Sequence, residues 1–123
     1  MNIEEFREFC LSLPDVTEAT PFEKFTRGRY TILVFYVCGR MFCYFNVDDF
    51  SSVTIKCDPA AAEELKARYA AVGDPFNGNK KHWISVRVDS DVDDPLFREL
   101  VKTSYRLVRA GGKSCRRGRE DLR

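Results

Sequence analysis

Three short apolar runs between Thr31 and Cys57 leave the chain few ways to fold. The run Thr31–Val37 is β-branched and aromatic almost throughout and is too short for a typical helix, which predicts a central strand. Cys38-Gly39-Arg40 predicts a tight hairpin turn in which glycine supplies a positive φ. Met41–Val47 and Ser52–Cys57 predict two more strands, so we expect an antiparallel meander of three strands.

Alternation of side chains predicts the two faces of the second and third strands, because successive residues of a strand point to opposite sides. One face is expected to carry Met41, Cys43, Phe45, Val47, Val53, Ile55 and Cys57. The other is expected to carry Phe42, Tyr44, Asn46, Thr54 and Lys56. The cysteines of the first set, together with Cys10, are expected to pack as small hydrophobic residues.

The rest of the chain predicts helices around this meander. Apolar residues recur at spacings of three and four in three segments, two of which begin with Asp-Pro, a sequence typical of a capped helix start. Helices are expected at about Ile3–Leu13, Asp58–Ala71 and Asp94–Val108, and further strands at about Val16–Phe22 and Trp83–Val88.

These elements predict an α+β, two-layer domain with helices packed on one face of the sheet. The sheet is antiparallel, with about five strands, and the element order with the three helices is α-β-β-β-β-α-β-α. We expect a single domain over residues 1–108, followed by a basic and flexible tail at 109–123. No apolar run reaches the roughly 18 residues that a membrane helix needs, and the N-terminus lacks the pattern of a signal peptide, so we expect a cytoplasmic protein that does not enter a membrane.

Charge is distributed unevenly along the chain. Residues 1–108 contain 14 basic and 17 acidic residues, whereas 109–123 contain six basic and two acidic ones. A domain with this acidic excess lacks the strongly basic surface of most dedicated nucleic-acid-binding proteins. Binding to a polyanion therefore requires that the basic side chains gather in one place.

The segment Asn77–Trp83 is where such side chains concentrate. It contains the chain's only histidine and only tryptophan together with two lysines, in a Gly/Asn-rich turn that enters a strand. Lysines neutralise phosphates, and an indole can stack on a base of a single strand. The candidate binding residues are the block from Asn79 to Trp83 and the cations expected near it: Asn79, Lys80, Lys81, His82, Trp83, Arg87, Lys56 and Arg40. Phe42 and Tyr44 are further candidate stacking rings.

A structural interpretation of the same block stays open. Asn77, Gly78 and Asn79 are common turn residues, His82 can bond a backbone carbonyl, and Trp83 can cover the sheet edge. In that case the block would fix how the last strand enters the sheet.

Several segments, in order along the chain, together resemble the MmcQ/YjbR family. They are Leu13-Pro14-Asp15-Val16-Thr17-Glu18, Pro21-Phe22, Gly39-Arg40-Met41-Phe42, Lys56-Cys57-Asp58-Pro59, Asn79-Lys80-Lys81-His82-Trp83 and Ser104-Tyr105-Arg106-Leu107-Val108. Arg40 departs from the pattern, which has lysine there, as does Phe76-Asn77-Gly78.

The resemblance implies a fold similar to frataxin-like and secretion-chaperone-like domains. It also implies DNA binding through a "double-wing" motif of hairpins, for which turn residues Arg27, Arg29 and Arg40 are candidates. Likeness of fold does not by itself establish function.

The sequence offers little support for an enzyme. Phosphate-cradling motifs such as GxGxxG are absent, so we expect no cofactor, and His82 is the only imidazole available to activate Cys43 or Cys57. We therefore expect a protein that is not an enzyme. A protein or a small anionic ligand is the alternative partner, because an aromatic patch with cations on its rim can bind either.

Overall fold

The computed structural model describes residues 1–22, 27, 31–75 and 78–111. These ranges form three helices and six strands. The helices are α1 (Ile3–Ser12), α2 (Pro59–Arg68) and α3 (Asp94–Gly111). The strands are β1 (Val16–Ala19), β2 (Ile32–Val37), β3 (Arg40–Asn46), β4 (Ser52–Lys56), β5 (Val72–Gly73) and β6 (Trp83–Arg87).

The six strands form one antiparallel sheet in the order β1-β2-β3-β4-β6-β5. Side chains from all three helices join one hydrophobic core with the inner face of the sheet. The predicted α+β architecture is confirmed, including the meander of β2, β3 and β4. The additional strand β5 has only two residues, too few to leave an alternating pattern in the sequence.

Local signals set the helix starts. The Asn2 side chain accepts a hydrogen bond from the Glu5 N–H, and the Glu5 carboxylate accepts one from the Asn2 N–H, so α1 begins with the predicted capping box. Asp58 caps α2, with Pro59 in the first turn, and Asp93 accepts a hydrogen bond from the Leu96 N–H at 3.0 Å. Each cap satisfies an N–H that lacks a partner within its helix.

The predicted strict alternation along β3 is wrong at Phe42. The β2–β3 register shifts between Phe35 and Tyr36, so Phe42 is an additional residue opposite β2. It lies fully buried, edge-on against Tyr105 of α3 at 5.5 Å between ring centroids. Met41, which was expected on the buried face, is partly exposed instead. A β-bulge re-aims side chains in this way because two residues of one strand face one of the other.

The core centres on Phe6 of α1. Its ring contacts those of Phe45 and Phe97 edge-on, at centroid distances of 5.7 and 5.8 Å. The thiols of Cys10, Cys43 and Cys57 are buried, as predicted. Helices α1 and α3 pack against one face of the sheet, and the side chains of Tyr44, Lys56 and Trp83 lie on the opposite face.

The last helix continues beyond the predicted domain end at Val108. Arg109 lies within α3, and its guanidinium forms an ion pair with Asp15 at 3.0 Å. Residues 112–123, which make up most of the predicted tail, lie outside the described residues.

Candidate functional site

The turn before β6 is organised by Asn79. Its side-chain oxygen accepts a hydrogen bond from the Lys81 N–H at 2.9 Å, and its backbone carbonyl accepts one from the Trp83 N–H, also at 2.9 Å. Asparagine favours such a turn because its side chain can bond backbone two residues ahead. The side chains of Lys80, Lys81 and His82 project from this turn and are exposed.

The turn is attached to the neighbouring strand at its far end. The His82 carbonyl accepts a hydrogen bond from the Cys57 N–H at 2.7 Å, and Trp83 is the register partner of Lys56. The structure therefore brings Lys56 together with the block from Asn79 to Trp83. We call Lys56, Lys80, Lys81, His82 and Trp83 the basic patch.

Trp83 is half-buried and lies on the sheet face opposite the core, because side chains alternate along β6 and those of Ile84 and Val86 point into the core. Its ring lies beside that of Tyr44, with centroids 5.8 Å apart and planes inclined by 53°. Burial raises the pKa of the Tyr44 hydroxyl, and a hydrogen bond with Thr54 acts in the opposite direction. Tyr44 therefore stays neutral near neutral pH, and the two rings form an aromatic platform at the edge of the basic patch.

Gly78 explains how closely the loop before the block approaches this platform. A Cβ atom at this position would lie 3.1 Å from the Tyr44 hydroxyl oxygen and 3.0 Å from Pro75 Cβ. Both contacts are tighter than most Cβ atoms make, so a larger residue at this position would require Tyr44 or Pro75 to shift by a few tenths of an ångström.

Lys56 is held by the opposite layer of the protein. Its backbone N–H donates to the buried hydroxyl of Ser104 at 2.8 Å, and that hydroxyl donates to the Phe42 carbonyl at 2.6 Å. Ser104 thus bridges β3 and β4 at the point where their direct pairing ends. Ser104 belongs to the last segment of the family resemblance, and no pattern in the sequence predicts that it bridges two strands.

Acidic residues reduce the positive charge beside the basic patch. Asp74 lies 3.1 Å from the Lys66 ammonium and 3.8 Å from that of Lys80. These residues border an open depression lined by Pro59, Glu63, Lys66, Asp74, Lys80, Lys81 and His82. The sequence does not point to Asp74 as a neighbour of these lysines, because Gly73-Asp74-Pro75 is typical of a segment that ends a helix.

Two of the predicted cations lie apart from the patch. Arg87 is exposed at the far end of β6, on the same face as Trp83 and about 13 Å away at the usual rise of a strand. Arg40 starts β3, and its guanidinium donates to the Gly111 carbonyl at 3.3 Å, at the end of α3. Of the candidate wing residues, Arg27 is exposed, whereas Arg29 lies outside the described residues.

Phe42 cannot serve as a stacking ring, contrary to the sequence-based prediction, because it is fully buried beneath α3. The bulge in β3 turned it toward the core. Tyr44, the neighbouring candidate, keeps its place on the patch face.

The chemistry expected of a reactive thiol does not fit Cys57. Burial raises the pKa of this thiol, with the nearby Asp58 carboxylate adding to the effect. A reactive cysteine needs the opposite shift, because its thiolate is the nucleophile. Among the described residues, no cluster of His, Cys, Asp and Glu side chains could hold a metal ion. No helix within the same ranges is long and apolar enough to span a membrane.

Comparison with known proteins identifies relatives over most of the chain. The model of the YjbR family matches residues 11–107. YbdF of Escherichia coli O157:H7 is 28% identical over 106 residues, covering 85% of this chain and 82% of YbdF. YjbR of Escherichia coli K12 is 26% identical over 106 residues, covering 85% of each chain. Both relatives are named as uncharacterised proteins, so neither name assigns an activity.

Solved structures agree with the fold. The crystal structure of Deinococcus radiodurans protein DR2400, described as a DUF419 domain, has a TM-score of 0.82 at 30% identity and covers 95% of this chain and 86% of its own. A protein from Pseudomonas syringae has a TM-score of 0.69 at 20% identity, covering 89% of this chain and 100% of its own, and supports the fold alone.

Proposed function

Because the chain belongs to the YjbR family, and its relatives YbdF and YjbR are named only as uncharacterised proteins, we propose a function from the site itself. The proposed function is that of a non-enzymatic domain that binds single-stranded DNA. The basic patch would contact phosphates, and the platform of Trp83 and Tyr44 would stack against a base. The cytoplasmic location expected from the sequence belongs to the same proposal.

One observation carries this proposal: the pairing of Lys56 with Trp83 across β4 and β6. It makes the Lys56 side chain and the partly exposed Trp83 indole neighbours on one face of the sheet, with Lys81 and His82 exposed on the preceding turn. Base stacking on an aromatic ring contributes about 1–3 kcal/mol per base, and lysines supply the salt-dependent part of the affinity. A single strand suits this arrangement because its bases are free to leave their own stack.

The acidic neighbours limit how strong this binding can be. Asp74 already pairs with Lys80, which leaves Lys56 and Lys81 as the ammonium groups of the patch without an ion-pair partner among the described residues. Since each phosphate contact contributes a slope of about 0.7 in the dependence of log affinity on log salt for single strands, we expect a shallow slope of about 1.4–2.

The experiment is a fluorescence titration of the protein with an oligothymidine of about 15 nucleotides. Trp83 is the only tryptophan, so its emission reports directly on the patch. We expect quenching on binding, and a weaker affinity when salt rises from about 50 to 200 mM. Replacement of Lys81 by alanine should weaken binding and lower the salt slope by about 0.7.

Two control proteins separate the patch from other cations. Arg106→Ala removes an exposed charge from α3 and should leave affinity unchanged. A chain without residues 112–123 tests the basic tail: if that deletion alone abolishes binding, the patch is not the site. Absence of any binding by the intact chain at low salt would overturn the proposal.

A protein or a small anionic ligand is the second candidate, and the mixed charges beside the patch favour it. Lys66, Asp74 and Lys80 alternate in sign around the open depression, an arrangement that suits a ligand bearing both charges. In this candidate the block from Asn79 to Trp83 is mainly structural and fixes the entry into β6. Calorimetric titration with phosphoserine, which carries an anionic and a cationic group, tests it: heat that disappears in Lys66→Ala would support it, and absence of heat with the intact chain would contradict it.

A further inference from the structure

A second depression lies on the same sheet face as the basic patch, on the other side of Tyr44. It has a volume of about 260 Å³, just below the usual lower limit of about 300 Å³ for sites that take drug-sized ligands. This size suits a single ring. Its lining comes from β2, β3, β4 and the turn after β3: Ile32, Tyr44, Phe45, Asn46, Asp49, Ser51, Ser52 and Thr54.

Tyr44 links this depression to the aromatic platform. It lines the depression on one side and contacts the ring of Trp83 on the other, at 5.8 Å between centroids. A single strand of DNA lying along this face would therefore pass from the basic patch over the rings of Trp83 and Tyr44. It would reach the depression one or two bases later.

Cations border this path at both ends. Lys56 pairs with Trp83 at one end of the β4–β6 ladder, and Ser52, which lines the depression, pairs with Arg87 at the other. Phosphates on either side of a base seated in the depression would thus lie near Lys56 and Arg87. The depression itself is lined by no basic residue in the part of the chain that the structure describes, so it suits the base and not the phosphate.

The polar groups of the lining are fixed by their own turn. The Asn46 side-chain oxygen accepts a hydrogen bond from the Asp48 N–H at 2.9 Å, which leaves the amide NH₂ as its free end. The Asp49 N–H donates to the Asn46 carbonyl at 3.3 Å, which holds Asp49 at the rim. The Asp49 carboxylate is exposed and, among the described residues, has no hydrogen-bond or ion-pair partner.

From this arrangement we infer that the depression is a base-selective subsite for a base with an exocyclic amino group. The inference rests on the proposed binding of single-stranded DNA. A carboxylate only accepts hydrogen bonds at neutral pH, and aspartate accepts from the N4 amino group of cytosine. At the position of that amino group thymine presents its O4 carbonyl oxygen, which the Asp49 carboxylate repels. The chain should therefore prefer cytosine over thymine.

The test compares oligocytidine and oligothymidine of equal length at the same neutral pH and salt, by quenching of Trp83. We expect oligocytidine to bind about fivefold or more tightly, the discrimination of one good base contact. Asp49→Ala should remove this preference. The readout is the ratio of the two affinities, because loss of one acidic charge strengthens binding to both strands alike.

The charge-matched control is Glu8→Ala, an exposed acid on α1 remote from this face, which should keep the ratio of the intact chain. Equal affinity for both strands would overturn the subsite and leave the proposed function standing. A preference that persists in Asp49→Ala would also overturn it. Failure of both strands to bind would overturn the proposed function and the subsite together.

Discussion

The backbone N–H of Lys56 on β4 donates a hydrogen bond of 2.8 Å to the buried hydroxyl of Ser104 on α3. This bond crosses from the helix layer into the sheet, where β3 and β4 stop pairing directly. The bond fixes the position of the Lys56 backbone opposite Trp83. A residue of the helix layer therefore helps to position the basic patch, which lies on the sheet face that the helices do not cover.

Ser104→Ala should lower the free energy of unfolding by about 1–3 kcal/mol, because the Lys56 N–H and the Phe42 carbonyl lose their shared partner in a buried position. Urea denaturation measures the loss. Thr103→Ala is the matched control, since that exposed hydroxyl bonds only the Glu99 carbonyl of its own helix. Equal effects of the two substitutions would contradict a special role for Ser104.

Trp83→Ala should destabilise the protein by about 1–3 kcal/mol, less than the roughly 3–5 kcal/mol of a ring buried in a core, because Trp83 is half-buried against Tyr44. Trp83→Phe should retain most of the stability and part of the affinity for single-stranded DNA. Thermal melting and fluorescence anisotropy of a labelled strand measure the two effects. If both variants bind DNA like the intact chain, the indole has no role in binding.

Asp74→Asn should strengthen binding to single-stranded DNA by about two- to fivefold, the range of one exposed ion pair. The substitution frees Lys80 from an acid 3.8 Å away and removes a repulsive charge near the basic patch. Glu8→Gln on α1 serves as the control for net charge alone. Unchanged or weaker affinity in Asp74→Asn would show that Lys80 does not face the ligand.

The Asp91 carboxylate binds the segment between α2 and β5 and makes the free energy of unfolding depend on pH. Its carboxylate accepts hydrogen bonds from the Ala70 and Ala71 N–H groups at 2.7 and 2.8 Å, and these bonds hold its pKa below the ordinary value of 3.8. The stabilisation is fully present above the ordinary pKa and is lost as pH falls through the lowered one.

Stability of the intact chain and of Asp91→Ala should therefore differ most at neutral pH and converge in strong acid. Urea midpoints measured from neutral pH down to about pH 2 test this, because that range spans the ordinary aspartate pKa. A difference that is independent of pH would mean that the carboxylate charge is not what stabilises the segment between α2 and β5.

Most of the architecture followed from local sequence. The capping box at Asn2, the Asp58-Pro59 helix start and the alternation of Val53 and Ile55 depend on residues close together in the chain, so their physical causes are visible in its order. The same holds for the turn at Asn79, whose side chain and carbonyl bond residues only two to four positions ahead.

Tertiary structure decided which of the candidate side chains meet. The bulge that buries Phe42, the insertion of Ser104 between β3 and β4, and the pairing of Asp74 with Lys80 all join residues from separate elements. No periodicity encodes such contacts, because they depend on how layers pack and where strands stop pairing. The sequence by itself determined that a cationic, aromatic turn enters the last long strand. Packing alone decided that Lys56 and Tyr44 stand beside it and that Arg40 does not.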